Sequence, residues 1–218
     1  MHVWYWMSKD VITVDEDLSL MEASKLMKKR SIKHLPVMRN GRLTGIVSDR
    51  DLKEAQPSKA TSLDIHEIYY LLDRIKVKNV MTSDPYTTTA SEIVERAANV
   101  MLEHDISALP VMNNEGELEG IVTKGDLFRA MIAISGIKQA QLQFGIMIKD
   151  QPGAIKEITD LIRVHGGRVV SITTHHEDAP DGFLNVYIRC KEIENEGALL
   201  PELEGKGKVL YRAHYKID

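Results

Sequence analysis

The sequence predicts an α+β protein: two βαββα units in tandem, then a third unit of βαββαβ order. Three observations predict this. The heptad Gly45-Ile46-Val47-Ser48-Asp49-Arg50-Asp51 returns as Gly120-Ile121-Val122-Thr123-Lys124-Gly125-Asp126. It lies in a longer repeat, in which Val3 to Asp10 aligns with Val77 to Asp84 at an offset of 74 that becomes 75 after Glu115. Beyond residue 142 the pattern changes, and alternating apolar runs surround one strongly periodic stretch. A two-fold repeat of this size implies two similar supersecondary units that bury their open faces on each other.

In the first copy, Val11-Ile12-Thr13-Val14 is a short β-branched run and reads as a strand. Ser19-Leu20-Met21-Glu22 has the form of a capping box. Leu20, Ala23, Leu26 and Met27 follow at helical spacing. Leu35-Pro36-Val37-Met38 and Leu43 to Val47 are strands joined by Asn40-Gly41, a strong hairpin signal. Asp51-Leu52 opens a second helix. The second copy repeats this order. Its cap is expected at Thr89-Ala90-Ser91-Glu92, and its last helix runs from Asp126 to about Ser135, stopping at Gly136. The boundaries expected are residues 1–54 and 77–135 for the two units, with a connector over 55–76. In the connector, Ile65, Ile68, Tyr69, Leu72 and Ile75 form the apolar stripe of a helix.

Residues 136–141 read as a linker and 142–218 as the third unit. Phe144, Ile146 and Ile148 alternate as a strand. Asp150-Gln151-Pro152-Gly153 is a turn, and Pro152 suits the start of a helix whose face is Ile155, Ile158, Leu161 and Ile162. Gly166-Gly167 ends it. Val170 and Ile172 alternate, as do Leu184, Val186, Ile188 and Cys190, with 179–182 as a hairpin loop. A poorer helix lies near Glu196 to Leu203, and Val209 to Tyr215 is the last strand.

The heptad carries the chemistry. Its glycine permits close backbone approach. The hydroxyl of Ser48 or Thr123, with the first amides of the following helix, can hold a phosphate. The carboxylate of Asp51 or Asp126 can accept from two vicinal hydroxyls, as on a ribose. These features suit a nucleotide at each copy.

The Val…Met start, the helix, Leu-Pro-Val and Gly-x-x-Ser/Thr-x-x-Asp together resemble the CBS (cystathionine β-synthase-type) motif. Two in tandem resemble a Bateman module over about residues 3 to 133. The resemblance implies two clefts for adenosine-containing ligands (AMP, ADP, ATP or S-adenosylmethionine), with no tightly bound cofactor. It places Ser48, Asp51, Thr123 and Asp126 at phosphate and ribose positions, Thr13 and Thr87 near the early strand that lines the clefts, and the backbone from Ile32 to Pro36 and from Ile106 to Pro110 beside the base. His34, Arg50 and Lys124 join this set because the copies differ there: Asp49-Arg50 becomes Lys124-Gly125, and His34 becomes Ala108. The two clefts should therefore prefer different ligands or charges.

The βαββαβ order with Asp-x-Pro-Gly after its first strand resembles an ACT domain of ferredoxin-like fold. That family implies dimerisation and a small effector near Asp150, Gly153, Ala154 and Ile155. A CBS pair followed by one ACT domain, with Ala55-Gln56-Pro57-Ser58-Lys59-Ala60-Thr61-Ser62-Leu63 between the repeats, resembles the acetoin-utilisation CBS–ACT proteins.

Composition narrows the function. At 43% apolar residues the 218-residue chain can build real cores, and a net charge of −4 gives no general pull toward nucleic acid or anionic membrane. No apolar run approaches the ~20 residues of a membrane span. Met1 to Met7 lacks the basic region and cleavage site of a signal peptide. The single cysteine, Cys190, favours a reducing compartment, so a cytoplasmic protein is expected. Cys190 reads as a packed side chain. His175 and His176, adjacent on a strand, point to opposite faces and do not suggest a metal. Trp6 takes the slot of Val80 and reads as buried, while Trp4 takes that of Lys78 and reads as a surface contact. No catalytic residues stand out. The expectation is a homodimeric regulatory sensor of a small molecule, read by an unidentified partner enzyme. Two alternatives stand beside it: an amino-acid-responsive ACT regulator with the CBS pair as scaffold, and an assembly subunit with vestigial clefts.

Overall fold

The structure, a computed structural model, describes residues 1–55, 73–140, 142–191 and 193–215. By internal packing the chain divides into residues 1–128 and 129–218, a boundary inside one helix. The connector stripe over 65–72 lies outside the described residues. Among the described residues, no helix is long and apolar enough to cross a membrane.

The first repeat runs β1 (Val14–Asp15), α1 (Leu20–Arg30), β2 (His34–Arg39), β3 (Arg42–Ser48) and α2 (Asp49–Glu54). β1 is shorter than the expected Val11–Val14 strand and pairs parallel with Val37-Met38 of β2. The Ser19–Glu22 capping box is formed, with Glu22 N–H donating to Ser19 Oγ at 3.2 Å. The hairpin turns at Asn40 (φ 49°) and Gly41 (φ 78°), the two successive left-handed residues that a tight primed turn requires. Leu20, Ala23, Met27, Leu35, Val37, Val47 and Leu52 form the buried core of this repeat.

In the second repeat come β4 (Thr82–Ser83), β5 (Thr88–Thr89), α3 (Val94–Glu103), β6 (Ala108–Met112), β7 (Leu118–Thr123) and α4 (Lys124–Ser135). The expected cap at Thr89–Glu92 is displaced. α3 starts at Val94 behind Ile93, which offers no side-chain acceptor. Register explains this, because Ile93 occupies the slot of Ser19. Thr89 to Glu92 form a turn instead, with Glu92 N–H donating to Thr89 O at 3.2 Å. The first amide of α3 donates to Met1 O at 2.8 Å, so the chain's own N-terminus satisfies it.

That contact belongs to an exchange. The segment leading into each repeat packs on the other repeat. His2 bridges Ile93 and Ser8 bridges Ile121, while Lys76 bridges Ser19 and β4 pairs with Gly45-Ile46 of β3. The first sheet therefore has the order β1-β2-β3-β4, and the second β5-β6-β7. Val3 and Val77, one in each leader, are fully buried. Boundaries drawn by repeat register alone separate each leader from the repeat it packs on. Trp6 is half-buried; Trp4 is 43% exposed, with Lys9 Nζ 3.5 Å from its ring centroid.

The exchange explains the heptad glycine. A Cβ at Gly120 would lie 2.6 Å from Met7 Sδ, and one at Gly45 would lie 2.5 Å from Met81 Sδ and 3.0 Å from Thr82 O. Each methionine of one leader thus lies on the glycine of the other repeat.

After α4, the second unit continues with β8 (Leu142–Lys149), α5 (Ala154–Val164), β9 (Arg168–His175), β10 (Phe183–Lys191), α6 (Glu196–Glu204) and β11 (Lys208–His214). This is the expected βαββαβ order, and the antiparallel sheet runs β11-β8-β10-β9. Phe144, Ile146, Ile148, Val186, Ile188 and Cys190 face Ile158, Ile162, Leu199 and Leu203 in one core. Burial, with Glu196 nearby, pushes the Cys190 thiol up to about 12, so it stays protonated and unreactive. Arg189 is also buried, at 4% exposure. Its Nε donates to Ser135 O, at the end of α4, at 2.9 Å and its Nη1 to Ala140 O, in the segment that follows, at 3.2 Å.

Gly120→Ala should cost about 1–3 kcal/mol in chemical denaturation, the range for overpacking. Gly45→Ala should cost more, because Thr82 O is backbone and cannot swing aside. Shortening Met7 to Ala in the Gly120→Ala background should recover part of the loss. Full stability in both single variants would show that the methionine contacts impose no constraint.

Candidate functional site

Each heptad ends a strand and begins a helix, and the same two side chains meet at both. Ser48 N–H and Oγ–H donate to Asp51 Oδ2, each at 2.7 Å, and Asp51 N–H donates to Ser48 Oγ at 3.3 Å. Thr123 and Asp126 repeat the arrangement at 2.7, 2.7 and 3.4 Å. These are reciprocal caps at the starts of α2 and α4. The residues expected to hold phosphate and ribose therefore also hold the helix start. Asp51 is half-buried and Asp126 is 5% exposed. The single proton of each hydroxyl points to the carboxylate, so a phosphate that took it would displace that bond.

The flanking residues fall into place by register. His34 lies directly across from Ser48, and Ala108 directly across from Thr123. Opposed residues of an antiparallel pair share a sheet face. His34 Nε2 is 2.7 Å from Ser107 Oγ, so the imidazole bridges the two repeats. Asp49 N–H donates to Lys33 O at 2.9 Å, and Lys124 N–H donates to Ser107 O at 3.0 Å. Arg50 is exposed and Lys124 half-exposed. Pro36 and Pro110 are buried, so their side chains are not available to a ligand and only their backbone can flank a base. Thr13 and Thr87 are exposed and immediately precede β1 and β5. Those strands pair with β2 and β6, one strand away from the capping boxes. A cleft of about 490 Å³ lies between α1 and α2, with Met27, Ile32 and Leu52 among Lys28, Lys33 and Lys53. Of the residues expected around the nucleotide, only Ile32 and Lys33, from the backbone stretch expected beside the base, line it.

In the second unit, Gly153 (φ 89°) precedes α5, and Ala154 and Ile155 pack partly against the core. Asp150 Oδ2 is 3.0 Å from His176 Nε2, a partner that the alternation of the strand did not suggest. His175 Nε2 meets Tyr187 Oη at 3.1 Å. Ala154 borders a cavity of about 340 Å³, together with Lys149, Gln151, Glu157, Lys206 and Lys208. Lys206 Nζ and Glu157 Oε2 pair there at 2.8 Å, a contact between residues 49 apart in sequence. Among the described residues, no group of three or more His, Cys, Asp or Glu side chains could hold a metal.

His34 titrates below the ordinary imidazole value. Burial lowers it, and the nearby Asp49 and Asp51 carboxylates only partly offset this. The fold thus favours the neutral ring. Stability from this source is complete above the unfolded value of about 6.5 and is lost as pH falls below it toward the folded value. His34→Gln keeps a donor for Ser107 and does not titrate. Between pH 7 and pH 5 the Tm of the native protein should fall more steeply than that of the variant; parallel curves would place the His34 pKa at its ordinary value.

The CBS domain family matches residues 3–58 and 77–133, more than half of the chain. A CBS domain-containing protein of Dictyostelium discoideum is 35% identical over 129 residues, 59% of this chain and 89% of that protein. A homoserine O-acetyltransferase of Methanohalophilus mahii is 35% identical over 127 residues, 58% of this chain but only 23% of the enzyme. Among solved structures, the CBS domain pair of protein MJ0100 in complex with 5′-methylthioadenosine and S-adenosyl-L-methionine matches with a TM-score of 0.50 and 30% identity. That match covers 60% of this chain and 99% of that one. CBSX2 of Arabidopsis thaliana in complex with AMP matches at 0.52 and 28% identity, covering 62% and 98%. A structure from Vibrio cholerae that bears the name acetoin utilization protein (AcuB) matches at 0.51 and 27%, covering 64% and 96%. The chain belongs to the CBS domain family and carries two CBS domains in tandem.

Proposed function

We propose that this protein is a regulatory sensor that binds an adenosine nucleotide or a related adenosyl ligand in its CBS pair. The duplicated hydroxyl–carboxylate box at a strand-to-helix turn carries the reading. Two relatives with matching CBS pairs hold AMP, or 5′-methylthioadenosine and S-adenosylmethionine. Ser48 and Thr123 face the phosphate or its replacement, and Asp51 and Asp126 accept from the ribose hydroxyls. Thr13, His34, Arg50, Thr87 and Lys124 complete the surroundings, with the backbone at Pro36 and Pro110 beside the base. The second unit is an ACT domain, supported by its βαββαβ order and its Asp150-to-Gly153 turn. It dimerises the chain. The protein acts in the cytoplasm within the acetoin-utilisation CBS–ACT group, and a partner enzyme reads the ligand-dependent state. A ligand shifts that state only by its difference in affinity for the two conformations.

Two further readings have an observation each. The cavity bordered by Ala154 favours an amino-acid effector beside the Asp150-to-Ile155 turn, of whose four expected residues only Ala154 lines it. The capping bonds at both boxes favour an assembly subunit, because they explain the boxes without any ligand.

The test separates cap from ligand. Asp51→Ala and Asp126→Ala should each lower unliganded stability by about 0.5–2 kcal/mol through the lost cap. Each should also weaken binding of its ligand by about 1.5–3 kcal/mol, ten- to a hundredfold. Calorimetry with AMP, ADP, ATP and S-adenosylmethionine reads the second effect at a temperature where the variants are folded. Unchanged affinity in both variants would refute the ribose role. A response to amino acids alone would move the sensor to the second unit.

A further inference from the structure

The two boxes repeat the same three hydrogen bonds and differ in the residue across the strand from the hydroxyl. Across from Ser48 stands His34; across from Thr123 stands Ala108. Directly opposed side chains lie about 4.5–5.5 Å apart at Cβ, within reach of a group held by the hydroxyl. The other differences balance in charge: Lys33, Asp49 and Arg50 of the first copy become Ser107, Lys124 and Gly125 of the second, so each set carries the same formal charge. The imidazole is therefore the titratable group that one box has across the strand and the other lacks.

We propose that His34 makes the first box selective for phosphate-bearing adenosine nucleotides by taking up a proton when the phosphate binds, while Ala108 leaves the second box to adenosyl ligands without phosphate. This rests on the nucleotide reading given above. Three charged groups act on the ring. Lys33 on its own segment opposes protonation, Asp49 and Asp51 on α2 favour it, and Ser107 of the other repeat accepts from Nε2–H once both ring nitrogens carry protons. Without ligand, burial wins and the ring is neutral. A phosphate beside it adds one to two negative charges at a distance where an opposite charge shifts a pKa by about 1–3 units. The proton comes from solvent and is returned when the nucleotide leaves. A ligand such as 5′-methylthioadenosine brings no negative charge and draws no proton.

The test is calorimetric titration of the full-length protein in buffers of different ionisation enthalpy, near pH 7. The probes are AMP and 5′-methylthioadenosine. AMP binding should be accompanied by proton uptake in the native protein beyond that in His34→Gln, where the phosphate's own titration remains as a common background. AMP affinity relative to the variant should rise about tenfold as pH falls from 8 to 6. 5′-Methylthioadenosine should show neither effect. Ala108→His should add proton uptake at the second box. AMP binding with equal proton uptake in native protein and His34→Gln would overturn the proposal and leave the nucleotide sensor standing. Absence of binding by AMP would overturn the proposal, and absence of binding by ADP, ATP, S-adenosylmethionine and 5′-methylthioadenosine as well would remove the nucleotide reading with it.

Discussion

Neither CBS repeat is complete without the other's leader. Met7 lies on Gly120, and Met81 lies on Gly45, in each case so close that a methyl group on the glycine would overlap the sulfur. Val3 and Val77 anchor the same two leaders with no exposed surface. The leaders also supply what a helix start lacks. Leu20 N–H donates to Ile75 O, and Val94 N–H to Met1 O. A glycine, a methionine, a valine and one backbone carbonyl, used twice, thus tie the two halves of the pair. The paired strands and the boxes at their ends keep their positions because of this exchange.

Most of the local structure was legible because local chemistry decided it. Asn40-Gly41 had to turn, since few other dipeptides take two left-handed residues in succession. Ser19 and Glu22 formed the box their spacing announced. The exchange was not legible. A constant offset shows which residues are equivalent but not which ones touch. The cap expected at Thr89 failed for a related reason: Thr-x-x-Glu occurs wherever a turn needs it, and the repeat register placed the helix start at Val94. Asp150 with His176 and Glu157 with Lys206 join segments far apart in sequence, so no spacing rule could reveal them.

Arg189 shows the same limit from the side of burial. The alternation of Leu184, Val186, Ile188 and Cys190 predicted correctly which residues enter the core. It assigned Arg189 to the opposite face, where an arginine would ordinarily reach water. Instead the guanidinium is buried against the carbonyls of Ser135 and Ala140. A buried cation of this kind is tolerated because its N–H groups meet carbonyl acceptors. Position along a strand gives the face of a side chain and says nothing of what covers that face.

The double duty of Asp51 and Asp126 changes what their presence in a CBS sequence means. Each carboxylate ties the end of a strand to the start of a helix before any ligand arrives. A lineage that lost its ligand would still face a folding penalty for discarding either residue. The motif therefore serves folding as well as any ligand, and one intact copy taken alone does not record binding. The position across the strand from the hydroxyl, His34 in one copy and Ala108 in the other, lies outside the box and can change without breaking its bonds.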